Sequence, residues 1–211
     1  GQTLSLKAAP HGLRAYLGVA GGFQTEPVLG SVSTVGRNLL GGLHGSGLAL
    51  QVGDILPAPR ATAAPICRTP HQYIPHYREA LVLRVIESGP AHRFPSEEME
   101  RFYQSFFTLT KESDRMGARL QGDPVSPPTQ GIISEGIPLG AIQIPPDGQP
   151  IILLNDRQTL GGYPKLGCVA RVDLPQLAQA RPGTSVRFVS ITLDVAQNEW
   201  RDFSRFFSRP L

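Results

Sequence analysis

The stretch Gly131–Pro164, GIISEGIPLGAIQIPPDGQPIILLNDRQTLGGYP, reads as two short strands and three tight polar turns. Gly140–Pro145 and Pro150–Asn155 are apolar runs of strand length. Pro146-Asp147-Gly148 joins them, and a fixed proline φ followed by a permissive glycine suits a hairpin connection. The second strand runs into Asn155, Asp156, Arg157, Gln158 and Thr159. These side chains are expected at a sheet or barrel rim, where a rigid scaffold holds loops that carry function. If the extended backbone continues past Asn155, alternation puts Asp156 and Gln158 on one side, able to hold a ligand between them. The competing reading has Asp156 capping the Thr159–Gly162 turn. Gly161-Gly162 either brings backbone N–H groups close to a ligand or makes a turn.

The same punctuation continues on both sides. Downstream, Leu166–Val172 reads as a strand, Asp173 as the cap of a short helix containing Pro175, Thr184–Leu193 as a last strand, and Asp194–Phe207 as a weakly amphipathic helix. Upstream, Glu79–Ser88 alternates like a strand. Ser96 is a good N-cap, Glu97 and Glu98 suit the helix dipole, and Met99, Phe102, Tyr103, Phe106 and Phe107 make one apolar face. In Ser113–Gly122, SDRMGARLQG, an Arg beside a glycine either clamps an anion or forms a structural ion pair.

Toward the start, Leu4–Ala8 and Leu13–Ala20 flank Pro10-His11-Gly12 and predict a hairpin. Gly21–Asp54 is glycine-rich but has neither GxxxxGK[ST] nor a helix-opening GxGxxG, so His44-Gly45-Ser46-Gly47 reads as a structural loop. Pro57–His76 holds five prolines without periodicity, marking a linker between two modules. His71 and His76 lack a carboxylate partner at ligand spacing, so no metal site is expected. Cys67 and Cys168 have no CxxC spacing and read as free thiols.

With 23 Gly and 20 Pro in 211 residues, short strands are favoured over long helices. Hydrophobic residues at 40% and charged residues at 18% are ordinary globular usage, which argues against disorder. A net charge of +3 with scattered basic residues gives no nucleic-acid signature. Neither a membrane span nor a signal peptide is legible, so a cytoplasmic enzyme or binding protein is expected.

Four motifs together carry a resemblance: YLGVAGG at Tyr16–Gly22, PVLGSVST at Pro27–Thr34, SDRMGARLQG, and SEGIPLGAIQIPPDGQPIILLNDRQTLGGYP at Ser134–Pro164. The chain resembles the allophanate hydrolase subunit 2 family, also called the biotin-dependent carboxyltransferase or KipA-like family, which includes the C component of bacterial 5-oxoprolinase. The resemblance runs to about Leu193. It implies a mainly β fold of two cyclophilin-like barrels with few short helices. An N-terminal part would be lacking, so the first barrel would be incomplete. The expected division is a first-barrel remainder over 1–57, a linker over 58–76, a second barrel over 77–195 and a helical tail over 196–211. Two departures stand out: Leu160 replaces a hydroxyl in the family's QTTGGYP, and His44-Gly45-Ser46 stands where Glu-Gly-Arg is common.

The resemblance implies chemistry on a small amide, which needs hydrogen-bond donors, a carboxylate and a positive charge. Asp156 and Arg115 are the candidate catalytic residues; Gln143, Asn155, Gln158, Gly161, Gly162 and Tyr163 are the candidate substrate-binding residues. Three functions follow as expectations. The first is a C-type component of an ATP-dependent 5-oxoprolinase, opening the lactam of 5-oxoproline to glutamate. Its expected partners are a B-type (KipI-like) protein and a LamB/YcsF-like protein, with ATP on a partner or across an interface. The second is a carboxyltransferase moving a carboxyl group from carboxybiotin to urea or a similar amide; the chain has no Met-Lys-Met biotin attachment site, so biotin would arrive on a separate carrier. The third is a regulator that binds a kinase-inhibitor-like protein. A structural barrel with a vestigial site is the bland alternative.

Overall fold

A computed structural model describes residues 3–60, 68–69, 74, 77, 80–87, 89–128 and 133–207. Cys67, His71, His76 and most of the proline-rich linker lie outside them. The chain divides into two compact units, Gly1–Arg14 with Pro75–Leu211, and Ala15–Ile74.

The larger unit is mainly β. Its seven barrel strands are β1 (Ala80–Glu87), β2 (Phe107–Leu109), β3 (Gly117–Gly122), β5 (Ala141–Gln143), β6 (Ile151–Leu153), β8 (Lys165–Val169) and β9 (Ser185–Ser190). They close in the order β1-β8-β5-β6-β3-β2-β9, with β9 returning to β1 as a parallel pair. Closure leaves no barrel edge unpaired. Two further short strands, β4 (Glu135–Gly136) and β7 (Leu160–Gly161), pair only with each other.

Alternation within the strands fills the interior. Leu81, Leu83 and Val85 of β1, Ile142 of β5, Ile152 of β6, and Val186 and Phe188 of β9 are all buried there. The Asp147 turn forms as expected: the Gly148 N–H bonds Pro145 O at 2.9 Å, and Gly148 takes φ +72°, where a Cβ would also strike Val125 O.

Helix α1 (Ser96–Gln104) drives Phe102 into the barrel, stacked on Phe188 at 4.4 Å between ring centroids. The helix begins one residue earlier than its expected cap: Pro95 is the N-cap and no side chain caps it. Ser105 is extended, so Phe106 and Phe107 belong to strand geometry rather than to the helix face. Alternation then buries Phe107 and leaves Phe106 exposed.

Asp173 precedes helix α2 (Leu174–Gln179) but makes no side-chain cap. Its carboxylate is instead taken by Arg84 of β1, which donates from its backbone N (2.8 Å), Nε (3.0 Å) and Nη2 (2.6 Å). Asp173 is almost fully buried, and its carboxylate raises the Arg84 pKa. Arg84 also reaches Glu199 of α3 (Leu193–Phe207), and Arg171 lies 4.3 Å over the Trp200 ring, so the last helix is tied to the barrel by its polar side and its indole.

The expected hairpin of Leu4–Ala8 with Leu13–Ala20 does not form: residues 3–20 hold no strand. The N–H groups of Leu13 and Arg14 bind Gln179 Oε1 at 2.8 Å each, and Arg181 bonds Gly12 O and Ala9 O, so side chains from α2 and just beyond it satisfy this backbone in place of a partner strand. The described residues of the Ala15–Ile74 unit form turns, one 3₁₀ turn (Gly36–Asn38) and the isolated bridges Val28–Ser31, Val35–Leu40 and Gly41–Ser46. His44 Nε2 meets Asp54 Oδ1 at 3.2 Å, and Asp54 accepts the Gln51 N–H. His44 therefore serves a loop contact.

Candidate functional site

The outer face of β8, β5 and β6 carries a second, smaller apolar cluster, Ile137, Ala141 and Leu153 with Ile151 and Cys168 against it. Ile137 follows β4, and its N–H bonds Thr159 O at 3.0 Å, so the β4–β7 ribbon lies over this face. Polar groups are buried beside the cluster. Gln143 is 2% exposed and Lys165 6% exposed, and the two are opposite one another in the β5–β8 pairing, across a bulge between Ile142 and Gln143. Opposed residues project to the same side of a sheet, about 5 Å apart at Cβ.

Lys165 fastens the ribbon. Its Nζ donates to Gly136 O at 2.7 Å and stands 3.0 Å from Glu135 Oε1. Glu135 pairs with Gly161 across the ribbon. A Cβ placed on Gly161 would lie 2.7 Å from Ile137 Cδ1, 3.2 Å from Gln143 Nε2 and 3.7 Å from Gln158 Nε2. Glycine at 161 thus lets the ribbon pack directly against Ile137 and Gln143, where a side chain has no room. Cys168 lies close by, and burial pushes its thiol pKa up, which holds it as an inert SH.

At the rim, Asp114 Oδ1 accepts the N–H groups of Met116 (2.8 Å) and Gly117 (3.0 Å), shaping the turn into β3. Two backbone bonds zip this turn to the one after β6: Leu154 N–H to Met116 O at 2.8 Å and Asp156 N–H to Arg115 O at 3.0 Å. The zipped turns set Arg115 against Asp156 side-on, Nε to Oδ2 at 2.9 Å and Nη2 to Oδ1 at 3.3 Å, with both side chains well exposed. Arg157 turns back into the protein, giving Nε to Ile137 O at 2.9 Å and Nη1 to Leu154 O at 3.3 Å.

The structure therefore brings Gln143, Gly161 and Gln158 together and joins Asp156 to Arg115. Asn155, Gly162 and Tyr163 lie on the connecting segments, with Gly162 exposed. Extended geometry stops at Leu153 and Asn155-Asp156 form a turn, so the alternation argument placing Asp156 and Gln158 on one side does not hold. Glu135 and Lys165 were missed by sequence reasoning. The signal was available for Lys165, a lone charge opening the apolar strand KLGCV.

Glu135 and Lys165 are paired with each other, so on this face the buried amide Nε2 of Gln143 is the group left to hydrogen-bond a carbonyl such as that of a lactam or of the ureido ring of biotin. The glycine-rich segment fits a triphosphate poorly, because it opens onto a 3₁₀ turn of three residues rather than an α-helix. Among the described residues no cluster of three His, Cys, Asp or Glu side chains is placed to hold a metal ion. No described helix is long and apolar enough to cross a membrane.

A closed barrel with a polar, ribbon-covered face defines a class, and the family model described as "Carboxyltransferase domain, subdomain A and B" matches residues 1–190. The chain belongs to that family. It is 36% identical over 210 residues to the C component of 5-oxoprolinase from Escherichia coli (strain K12), across 99% of this chain and 66% of that one. It is 30% identical over 218 residues to urea amidolyase of Saccharomyces cerevisiae, across 94% of this chain and 12% of that one. Among solved structures, urea carboxylase of Kluyveromyces lactis superposes with a TM-score of 0.77 at 26% identity, over 92% of this chain and 19% of that one. The chain thus spans about two thirds of the 5-oxoprolinase relative and a small part of the larger enzymes.

Proposed function

We propose that this chain is a C-type component of an ATP-dependent 5-oxoprolinase assembly located in the cytoplasm. The observation that carries the reading is the match to the 5-oxoprolinase C component along 99% of the chain, at an identity above that to urea amidolyase. The reaction adds water across the lactam C–N bond, giving a carboxylate at the carbonyl carbon and an ammonium at nitrogen, driven by ATP hydrolysis. This chain's part is to bind and orient the lactam on the outer face of β5, β6 and β8. Gln143, Gln158 and Tyr163 supply donors, Asn155, Gly161 and Gly162 shape the approach, and the Arg115-oriented Asp156 carboxylate takes or gives a proton at the rim. Nucleotide handling falls to partner proteins, one KipI-like and one LamB/YcsF-like.

A second reading is supported by the carboxyltransferase family model and the urea carboxylase superposition: the same face would receive a carboxyl group from carboxybiotin on a carrier protein and pass it to urea or a similar amide. Affinity purification of the tagged chain from its native cells, with mass spectrometry of what accompanies it, separates the two. KipI-like and LamB/YcsF-like proteins are the expected companions. A biotin carboxylase and a biotinylated carrier in their place would overturn the first reading in favour of the second.

A further inference from the structure

The β4–β7 ribbon is fastened to the barrel by side chains rather than by strand pairing. Its two residue pairs, Glu135–Gly161 and Gly136–Leu160, bond only each other. Ile137 is its apolar anchor, buried against Ala141 and Leu153, while Leu160 is 62% exposed. Two cations hold the rest: Lys165 Nζ donates to Gly136 O at 2.7 Å and pairs with Glu135 at 3.0 Å, and Arg157 Nε donates to Ile137 O at 2.9 Å. An element held by so few groups lies at the low end of local stability and opens while the barrel stays folded. Beneath it Gln143 is buried, and its Nε2 has no hydrogen-bond partner among the described residues. A buried donor left unmade costs free energy, so closure over Gln143 is opposed from below, and lifting the ribbon lets water or a ligand take the bond. The closed ribbon itself admits nothing, because a Cβ at Gly161 would lie 2.7 Å from Ile137 Cδ1 and 3.2 Å from Gln143 Nε2.

Resting on the reading that this face binds an amide, we infer that the β4–β7 ribbon is a strap, latched shut by Lys165 and Arg157, that lifts before Gln143 meets a ligand. The structure is then the closed state, in which the absence of space over Gln143 is the strap's effect. Lys165 suits a latch. It belongs to barrel strand β8 and lies opposite Gln143, so it stays with the barrel when the ribbon leaves. Its partner Glu135 is partly exposed and returns to water on opening, which keeps the cost of release low. Gly161 is required for closure, since a side chain there wedges the ribbon away from Ile137.

Cys168 reports on the strap, because it packs against the cluster that Ile137 closes and, with Cys67 replaced by serine, is the sole thiol. The full chain is treated with DTNB, an aromatic disulfide reagent, and the rate at Cys168 is compared with amide exchange in β1 and β9. Lys165→Met and Arg157→Met each remove a latch, and Gly161→Ala wedges the ribbon. All three are expected to accelerate labelling about tenfold or more with exchange in β1 and β9 unchanged. The Lys165 ammonium favours the Cys168 thiolate, the form that reacts, so electrostatics alone would slow labelling in Lys165→Met; acceleration there reads access. 5-oxo-L-proline and imidazolidin-2-one are expected to change the rate of the otherwise unaltered chain saturably. Unchanged rates in any two of the variants, or acceleration only in step with β1 and β9 exchange, overturns the strap. Accelerated variants with a rate indifferent to both probes would instead count against the amide-binding reading and leave the strap standing.

Discussion

Replacing Asp156 with Asn separates chemistry from folding at the rim. The carboxylate is held side-on by Arg115 at 2.9 and 3.3 Å, and both groups are largely in water. An exposed ion pair of this kind contributes about 0.2–1 kcal/mol, and the Asp156 N–H bond to Arg115 O survives the substitution. For a chain of this size 1 kcal/mol moves the melting temperature by about 2–4 °C, so a shift smaller than that is expected. The chemical consequence is larger. Proton transfer by a positioned carboxylate is worth about 10²–10⁴ in rate, so 5-oxoproline turnover by the complete assembly should fall about 100-fold or more, the equivalent of about 2.7 kcal/mol in the transition state. Steady-state glutamate release and differential scanning fluorimetry on the same preparations give both numbers. Retained turnover with a melting temperature lowered by more than about 5 °C would refute the argument and make Asp156 a turn-stabilising residue.

Phe102→Ala removes the ring that stacks on Phe188 in the barrel interior and should cost about 3–5 kcal/mol in urea unfolding. Arg84→Met leaves the buried Asp173 carboxylate without its guanidinium and should destabilise by about 3–5 kcal/mol, whereas the double variant with Asp173→Leu should recover part of that loss. The Tyr103 pKa is raised by burial and by the neighbouring Glu87, so the folded chain keeps a proton that the unfolded chain loses from about pH 10 upward. Stability should therefore decline as pH rises past about 10, and Tyr103→Phe should flatten that decline in denaturant titrations at successive pH values. Hydrogen exchange should be faster in residues 15–60, which hold turns and isolated bridges, than in β1, β5 and β9; equal protection would contradict this.

The barrel was legible where apolar runs are bounded by strong turn chemistry. Pro146-Asp147-Gly148 fixed the β5–β6 hairpin in advance, and Gly89-Pro90 and Pro182-Gly183 marked the end of β1 and the start of β9 closely. The start of the chain misled because the apolar run beginning at Leu13 looks the same whether its backbone bonds a strand or, as at Leu13 and Arg14, the Gln179 side chain. Phe106 was misplaced because a 3.6-residue period cannot show that the helix stops at Gln104. The NDRQTLGGYP signature lies on the segment after β6 that carries Asp156 and Gln158, whereas Glu135 and Lys165, which fasten the ribbon, escaped notice. Their meeting depends on a two-residue ribbon folding over a bulged strand pair, which is tertiary information that no local pattern holds.

The central claim, that this chain supplies the amide-binding component of an ATP-dependent lactam-opening assembly, is tested most directly by omission. ATP-dependent release of glutamate from 5-oxo-L-proline is measured with the KipI-like and LamB/YcsF-like partners held constant and this chain added, withheld, or supplied alone. Turnover is expected only when all components are present, with none from the chain alone. Equal turnover with the chain withheld, or glutamate released by the chain without partners, would contradict the account.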